Sequence, residues 1–285
     1  MNYRVIARLD IKGPNLVKGI HLEGLRVLGK PEDYAKYYYE NGIDELIYQD
    51  VVASLFERNS LKEIISQTAS ATFIPLTVGG GLRTVDDIRF ALRAGADKVS
   101  INTAAIRNPK LIQDAALEFG SSTIVVAIEA IRHQDGKYFA YMDNGREETG
   151  VEVLSWAKQV EKLGAGEILL TSVDRDGTGE GYDLELIKLV SNQVSIPVIA
   201  HGGAGKAMDV KDAIDVGADA VAMASILHYD IVKNGKLPSE IESKEGNTVF
   251  LKTGSQLKRI VSCRISDIKD TLIKAGYGCR TTIND

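Results

Sequence analysis

Short apolar runs recur along the chain without the alternation of a half-exposed strand, and the stretches between them repeat their apolar positions at helical spacing. Uninterrupted apolar runs are what a strand buried on both faces requires, as in a parallel sheet. They predict strands over 5–11, 45–48, 73–78, 98–101, 124–128, 167–171, 198–201 and 220–224. Helical periodicity predicts helices over 31–41, closed by Gly42, then 61–70, 84–94 with Thr84 as N-cap, 152–163, 184–192 and 210–216. The stretch 12–15 reads as a loop, 138–143 as a hairpin or extended loop, and 174–178 as a polar loop.

The pattern also repeats at long range. Val78-Gly79-Gly80-Gly81 is answered by His201-Gly202-Gly203-Ala204-Gly205, and Gly95-Ala96-Asp97-Lys98-Val99-Ser100 by Gly217-Ala218-Asp219-Ala220-Val221-Ala222. Gly80 to Gly202 and Gly95 to Gly217 are both 122 positions apart, so one half of the chain copies the other. Eight strand–helix units with a half-length repeat predict an α/β fold, a (β/α)8 TIM barrel with a half-barrel internal repeat. A doubly wound open sheet is the alternative, and it offers no reason for the repeat. One barrel domain is expected over 1–285, with an insertion at about 233–262 after the eighth strand and a short flexible tail over 281–285. The pattern breaks after Ser225; 248–251 reads as a strand and 267–275 as a last helix.

Composition narrows the function. With 44% hydrophobic and 26% charged residues and a net charge of −5, the chain has no general attraction for nucleic acid or an anionic membrane. No apolar run approaches the ~18 residues of a membrane span, and no secretory leader is read at Met1, so a cytoplasmic location is expected. Cys263 and Cys279 have neither CxxC spacing nor a nearby histidine, so reduced thiols rather than a metal site are expected, and no cofactor is implied.

In a barrel of this kind the active site forms at the C-terminal ends of the strands. The residues there are Asp10, Asp50, Gly79 to Gly81, Asn102, Thr103, Glu129, Thr171, Ser172, Asp174, Asp176, Gly202, Gly203, Ala224 and Ser225. Glycine turns let backbone N–H groups approach an anion closely, and a following helix N-terminus favours negative charge. Two copies, beside Asn102-Thr103 and Ala224-Ser225, predict a substrate with a phosphate at each end, held by Gly80, Gly81, Asn102 and Thr103 and by Gly177, Gly202, Gly203, Ala224 and Ser225. Asp10 and Glu129, on the first and fifth strands, would face each other across the mouth and divide acid and base roles. The alternative is that either caps a loop or pairs with Lys12, Lys18 or Arg132. Lys18, Asp50, Thr171, Asp176 and His201 complete the expected substrate site. Arg4, Glu45, Lys98 and Glu167 open strands instead, so they gather at the N-terminal face, where a salt-bridged plug is the default reading.

LDIKGPNLVKG, NGIDELIYQDVVAS, PLTVGGGLRT, GADKVSINTAA, VVAIEA, GAGEILLTSVDRDGTGEGYD, HGGAGK and GADAVAMAS together make the chain resemble the cyclase subunit of imidazole glycerol phosphate synthase, the HisF type, over roughly 1–230 and 264–280. The resemblance implies an ammonia-using cyclase/lyase of histidine biosynthesis, forming a heterodimer with a HisH-type glutaminase at the N-terminal face. Its substrate would be a bis-phosphorylated aminoimidazole carboxamide ribonucleotide. It places the base on Asp10, an ammonia gate on Arg4, Glu45, Lys98 and Glu167, phosphate contacts on Gly81, Asn102, Thr103, Gly203 and Ser225, and a glutaminase contact on Asp97. Three sites depart from the family pattern. Glu129 stands for an aspartate, Gly13-Pro14-Asn15 for Asp-Gly-Arg, and His201 for a small residue, usually serine. These departures cluster at the substrate end, which suggests an alternative: a HisF-like ammonia-channelling subunit that serves, with a HisH-like glutaminase, a sugar amidotransferase of surface-glycan synthesis.

Overall fold

The computed structural model describes residues 2–51, 58–234 and 259–281. Its strands are β1 (Asn2–Lys12), β2 (Asn15–Ile20), β3 (Glu23–Gly29), β4 (Glu45–Asp50), β5 (Leu76–Gly79), β6 (Lys98–Ile101), β7 (Ile124–Arg132), β8 (Tyr138–Met142), β9 (Glu147–Glu152), β10 (Glu167–Ser172), β11 (Val198–His201), β12 (Ala220–Met223) and β13 (Gly278–Cys279). Eight of them close a parallel barrel in the order β1, β4, β5, β6, β7, β10, β11, β12, with β12 returning to β1. The expected (β/α)8 barrel is therefore the fold. Most of the insertion expected at 233–262, the strand at 248–251 and most of the tail lie outside the described residues.

Side chains alternate along each strand, so inward residues recur at every second position. On β1 these are Arg4, Ile6, Arg8 and Asp10; on β10 they are Glu167, Leu169 and Thr171. The barrel interior is accordingly layered. A charged layer at the N-terminal face is followed by an apolar plug containing Ile6, Ile47, Val125, Leu169, Ile199 and Ala222, and a polar layer lies above that. Outside, two larger apolar clusters weld the strands to the helices.

The half-repeat extends to individual hydrogen bonds. Asp97 Oδ2 accepts from Leu76 N at 2.8 Å, and Asp219 Oδ2 accepts from Val198 N at 2.9 Å. Asp87 Oδ2 accepts from the N–H groups of Arg83 and Thr84, as Asp209 Oδ2 does from Gly205 and Lys206. Thr84 is the N-cap expected of it, accepting from Asp87 N. Asp209 also sets an earlier start for its helix, Ala207–Asp215, than the 210–216 expected.

Two expectations need correction, and further elements carry no expectation in the pattern. The third barrel strand starts at Leu76, not at 73, because Phe73 is 81% exposed and Pro75 has no N–H for a ladder. The loop at 12–15 leads into a hairpin of β2 and β3 that folds over the mouth. Two helices, Thr103–Arg107 and Lys110–Phe119, follow the fourth barrel strand unannounced. Ser225 opens a helix, Ser225–Asn234, where the pattern was expected to break.

Candidate active site

Asp10 and Glu129 sit on β1 and β7, which have three barrel strands between them on either side, so they face each other across the mouth. Asp10 is 2% exposed and accepts a hydrogen bond from Arg8 Nε at 2.9 Å, with Lys18 Nζ at 3.9 Å. Glu129 is buried, and its Oε2 accepts from Gly145 N at 2.9 Å. Burial pushes the Glu129 carboxyl up to about 7 against the opposing pull of the Arg8 charge and the Gly145 amide. One carboxyl of the pair thus changes protonation near neutral pH, as proton transfer in either direction requires.

Glu129 closes the inner end of a cleft of about 580 Å³ lined by Asp50, Gly80, Gly81, Asn102 and Thr103, together with Arg83, Arg107, Asp143, Asn144 and Arg146. The turn geometry demands glycine. Gly80 has φ +96°, and a Cβ there would lie 2.2 Å from Asp50 O. Its counterpart Gly202 has φ +92°, with Ser172 O at 2.5 Å. Asn102 donates through Nδ2 to Tyr141 O at 3.1 Å, while its buried Oδ1 has no hydrogen-bond partner. Thr103 Oγ1 accepts from Asp143 N at 3.2 Å.

The second glycine turn differs. Gly177, Gly202, Gly203, Ala224 and Ser225 line a crevice of only about 10 Å³, shared with Lys18, Asp176 and His201. Lys18 Nζ donates to both Asp176 oxygens, at 3.2 and 3.0 Å. Burial opposes ionisation of Asp176, but the Lys18 charge and hydrogen bond, with the Arg8 charge, override it and hold the carboxyl at about 2. Asp176 also fastens the tip of the β2–β3 hairpin, its backbone O accepting from His21 N and its Oδ2 from Leu22 N. Asn144 Nδ2 donates to Val51 O at 2.9 Å, anchoring the loop between β8 and β9 on the other side.

Arg8 is the functional-site residue that pattern reading missed. It is 2% exposed, and Nη1 lies 3.4 Å from Thr171 Oγ1 and 3.1 Å from His201 Nδ1. A charged residue inside an apolar strand, sharing the parity of Arg4 and Asp10, was the available signal.

At the opposite end of the bore the four strand-opening charges meet. Arg4 Nη1 lies 2.8 Å from Glu45 and 3.0 Å from Glu167, and Lys98 Nζ lies 3.4 and 3.1 Å from the same two carboxylates. The result is a closed ring of alternating sign. Asp97 lies next to it in sequence, exposed, with one oxygen engaged on Leu76 N.

A family model described as "Histidine biosynthesis protein" matches residues 4–233. The chain belongs to the histidine biosynthesis protein family. Among its relatives is the imidazole glycerol phosphate synthase subunit HisF of Legionella pneumophila, 62% identical over 205 residues, which cover 72% of this chain and 97% of the relative. The subunit HisF of Alkaliphilus metalliredigens is 46% identical over 243 residues, covering 85% and 96%. That of Methanocaldococcus jannaschii is 49% identical over 246 residues, covering 79% and 90%. The described part of this family member contains no helix long and apolar enough to cross a membrane.

Proposed function

We propose that the chain is the cyclase subunit of imidazole glycerol phosphate synthase, acting in histidine biosynthesis as a lyase-type enzyme with a partner subunit. The relatives carry that subunit's name and favour it over the glycan-amidation alternative. The observation that carries the chemistry is Glu129, raised to about 7 at the inner end of the large cleft and opposite Asp10.

In this reading the substrate is the bis-phosphorylated aminoimidazole carboxamide ribonucleotide. One phosphate lies on Gly80, Gly81, Asn102 and Thr103, where backbone N–H groups and Arg83 and Arg107 at the cleft wall supply donors and positive charge. The other lies over Gly202, Gly203 and Ser225. Asp10 takes a proton while Arg8 fixes its carboxylate, and protonated Glu129 returns one to the leaving side. Lys18, Thr171, Asp176 and His201 form the wall behind the reacting centre. A HisH-type glutaminase docks on the N-terminal face with Asp97 in its contact. Its ammonia enters through Arg4, Glu45, Lys98 and Glu167 and crosses the apolar layer of the bore, which holds back water and ions.

The test is turnover of that ribonucleotide by the purified chain with an ammonium salt at mildly alkaline pH, against an Asp10→Asn control. Imidazole glycerol phosphate should form, and the control should lose at least ~10²-fold. Equal rates for the two proteins would sink the assignment of Asp10.

A further inference from the structure

The Arg8–His201 contact has a chemical consequence. A guanidinium carries only donors. At 3.1 Å from Arg8 Nη1, His201 Nδ1 must therefore be the acceptor, and Thr171 Oγ1, at 3.2 Å, sits beside the same nitrogen. Burial, reinforced by the Arg8 charge, holds the His201 ring well below its ordinary pKa despite Asp176, so the ring is neutral. A neutral imidazole with Nδ1 bare carries its proton on Nε2. That nitrogen lies on the side of the ring away from Arg8, 3.9 Å from Asp176 Oδ1, in the crevice with Lys18, Gly202, Gly203 and Ser225. The crevice holds about 10 Å³. Such a space admits about one water-sized atom, hence a single phosphoryl oxygen rather than a whole phosphate.

We propose that Arg8 is a positioning residue that locks His201 in its Nε2–H tautomer, so that the ring presents a neutral hydrogen-bond donor to one oxygen of a phosphate monoester seated over the second glycine turn. This rests on the reading of that turn as a phosphate site. The donor works without changing charge: the groups facing the ring are Arg8 from β1, Lys18 from β2, Thr171 from β10 and Asp176 from the loop after β10. The cations oppose a proton on the ring, and Asp176 is occupied by Lys18.

The experiment uses the full chain in two samples, one with histidine-selective and one with glycine-selective ¹⁵N labelling. Long-range proton–nitrogen correlation should show His201 as the Nε2–H tautomer, without titration across the neutral range. In Arg8→Met, the Nδ1–H form or an imidazolium paired with Asp176 should appear. Glycerol phosphate, titrated while the Gly202 and Gly203 amides are followed, should bind the wild type. It should bind Arg8→Met and His201→Phe roughly tenfold more weakly, the loss of one donor to an anion. A wild-type ring in the Nδ1–H form overturns the proposal even if neither variant folds. So does equal glycerol phosphate affinity in wild type and His201→Phe, or no perturbation of the second-turn amides. None of these readouts needs turnover, so failure here is separable from failure of the cyclase assignment.

Discussion

Glu129 reaches the mouth on a side chain one methylene longer than aspartate, into a place where, among the described residues, Gly145 N is its one direct hydrogen-bond donor. Its raised carboxyl makes the folded state bind a proton that the unfolded chain has released at the same pH. A raised carboxyl therefore costs stability once pH exceeds the unfolded value near 4.5, and the full cost is reached above about 7. Glu129→Gln keeps an acceptor for Gly145 and removes the charge. It should gain up to about 3 kcal/mol over wild type in urea unfolding at mildly alkaline pH, with no gain below the unfolded value. A gain that is the same at both pH values would mean the carboxyl is not raised. In catalysis, a general acid at about 7 predicts that kcat/KM, corrected for free ammonia, falls above neutrality. Persistence of that limb in Glu129→Gln would place the proton elsewhere. At this scale Asp10 and Glu129 were legible because polar residues that end buried runs stand out. Arg8 was not, because an apolar run with one interior charge still reads as a strand, and only the parity it shares with Arg4 and Asp10 reveals that it points inward.

Among the elements, legibility followed the repeat. The barrel strands and the glycine turns were readable because each depends on local chemistry present twice, and the Thr84 cap because it is local chemistry in its own right. The hairpin of β2 and β3 was not, since it is held by long-range bonds to Asp176 rather than by turn residues of its own. The repeat also separates two roles that one residue can hold. Asp97 and Asp219 cap the strands β5 and β11 in the same way, through one oxygen on a backbone N–H. Replacing either with alanine should cost about 1–2 kcal/mol in thermal or urea unfolding, because a strand N–H loses a charged acceptor. If Asp97 also contacts the glutaminase, Asp97→Ala should weaken the complex in calorimetric titration by more than Asp219→Ala does. Equal weakening would reduce Asp97 to its capping role.

Over the whole molecule, the halves share a backbone plan but not an interior. One turn opens on a cleft of about 580 Å³, while its counterpart is packed to about 10 Å³ by side chains the repeat does not share, His201 foremost. The bore is asymmetric along its axis as well, with a charged ring at one end, apolar side chains behind it and the polar layer of Arg8 and Asp10 at the other end. The pattern revealed that ring as four strand-opening charges, but its default role at this face is stability. Its bonds alone do not distinguish a plug from a gate, because both need a closed ring. Lys98 separates the two. Its ammonium bridges Glu45 and Glu167, and Arg4 bridges the same pair, so Lys98→Met opens one side of the ring while Arg4 still partners both carboxylates. The side chain is 17% exposed and its carboxylate partners 8% and 12%, so leaving both carboxylates to Arg4 alone should cost about 3 kcal/mol in melting experiments. In the proposed complex, ammonia released at the N-terminal face passes this point, whereas ammonium from solution enters at the open mouth. If the ring is a gate, product formed per glutamine hydrolysed should fall in the variant complex, and the ratio of glutamine-driven to ammonium-driven turnover should fall with it. A plug predicts the same stability loss with the wild-type stoichiometry intact.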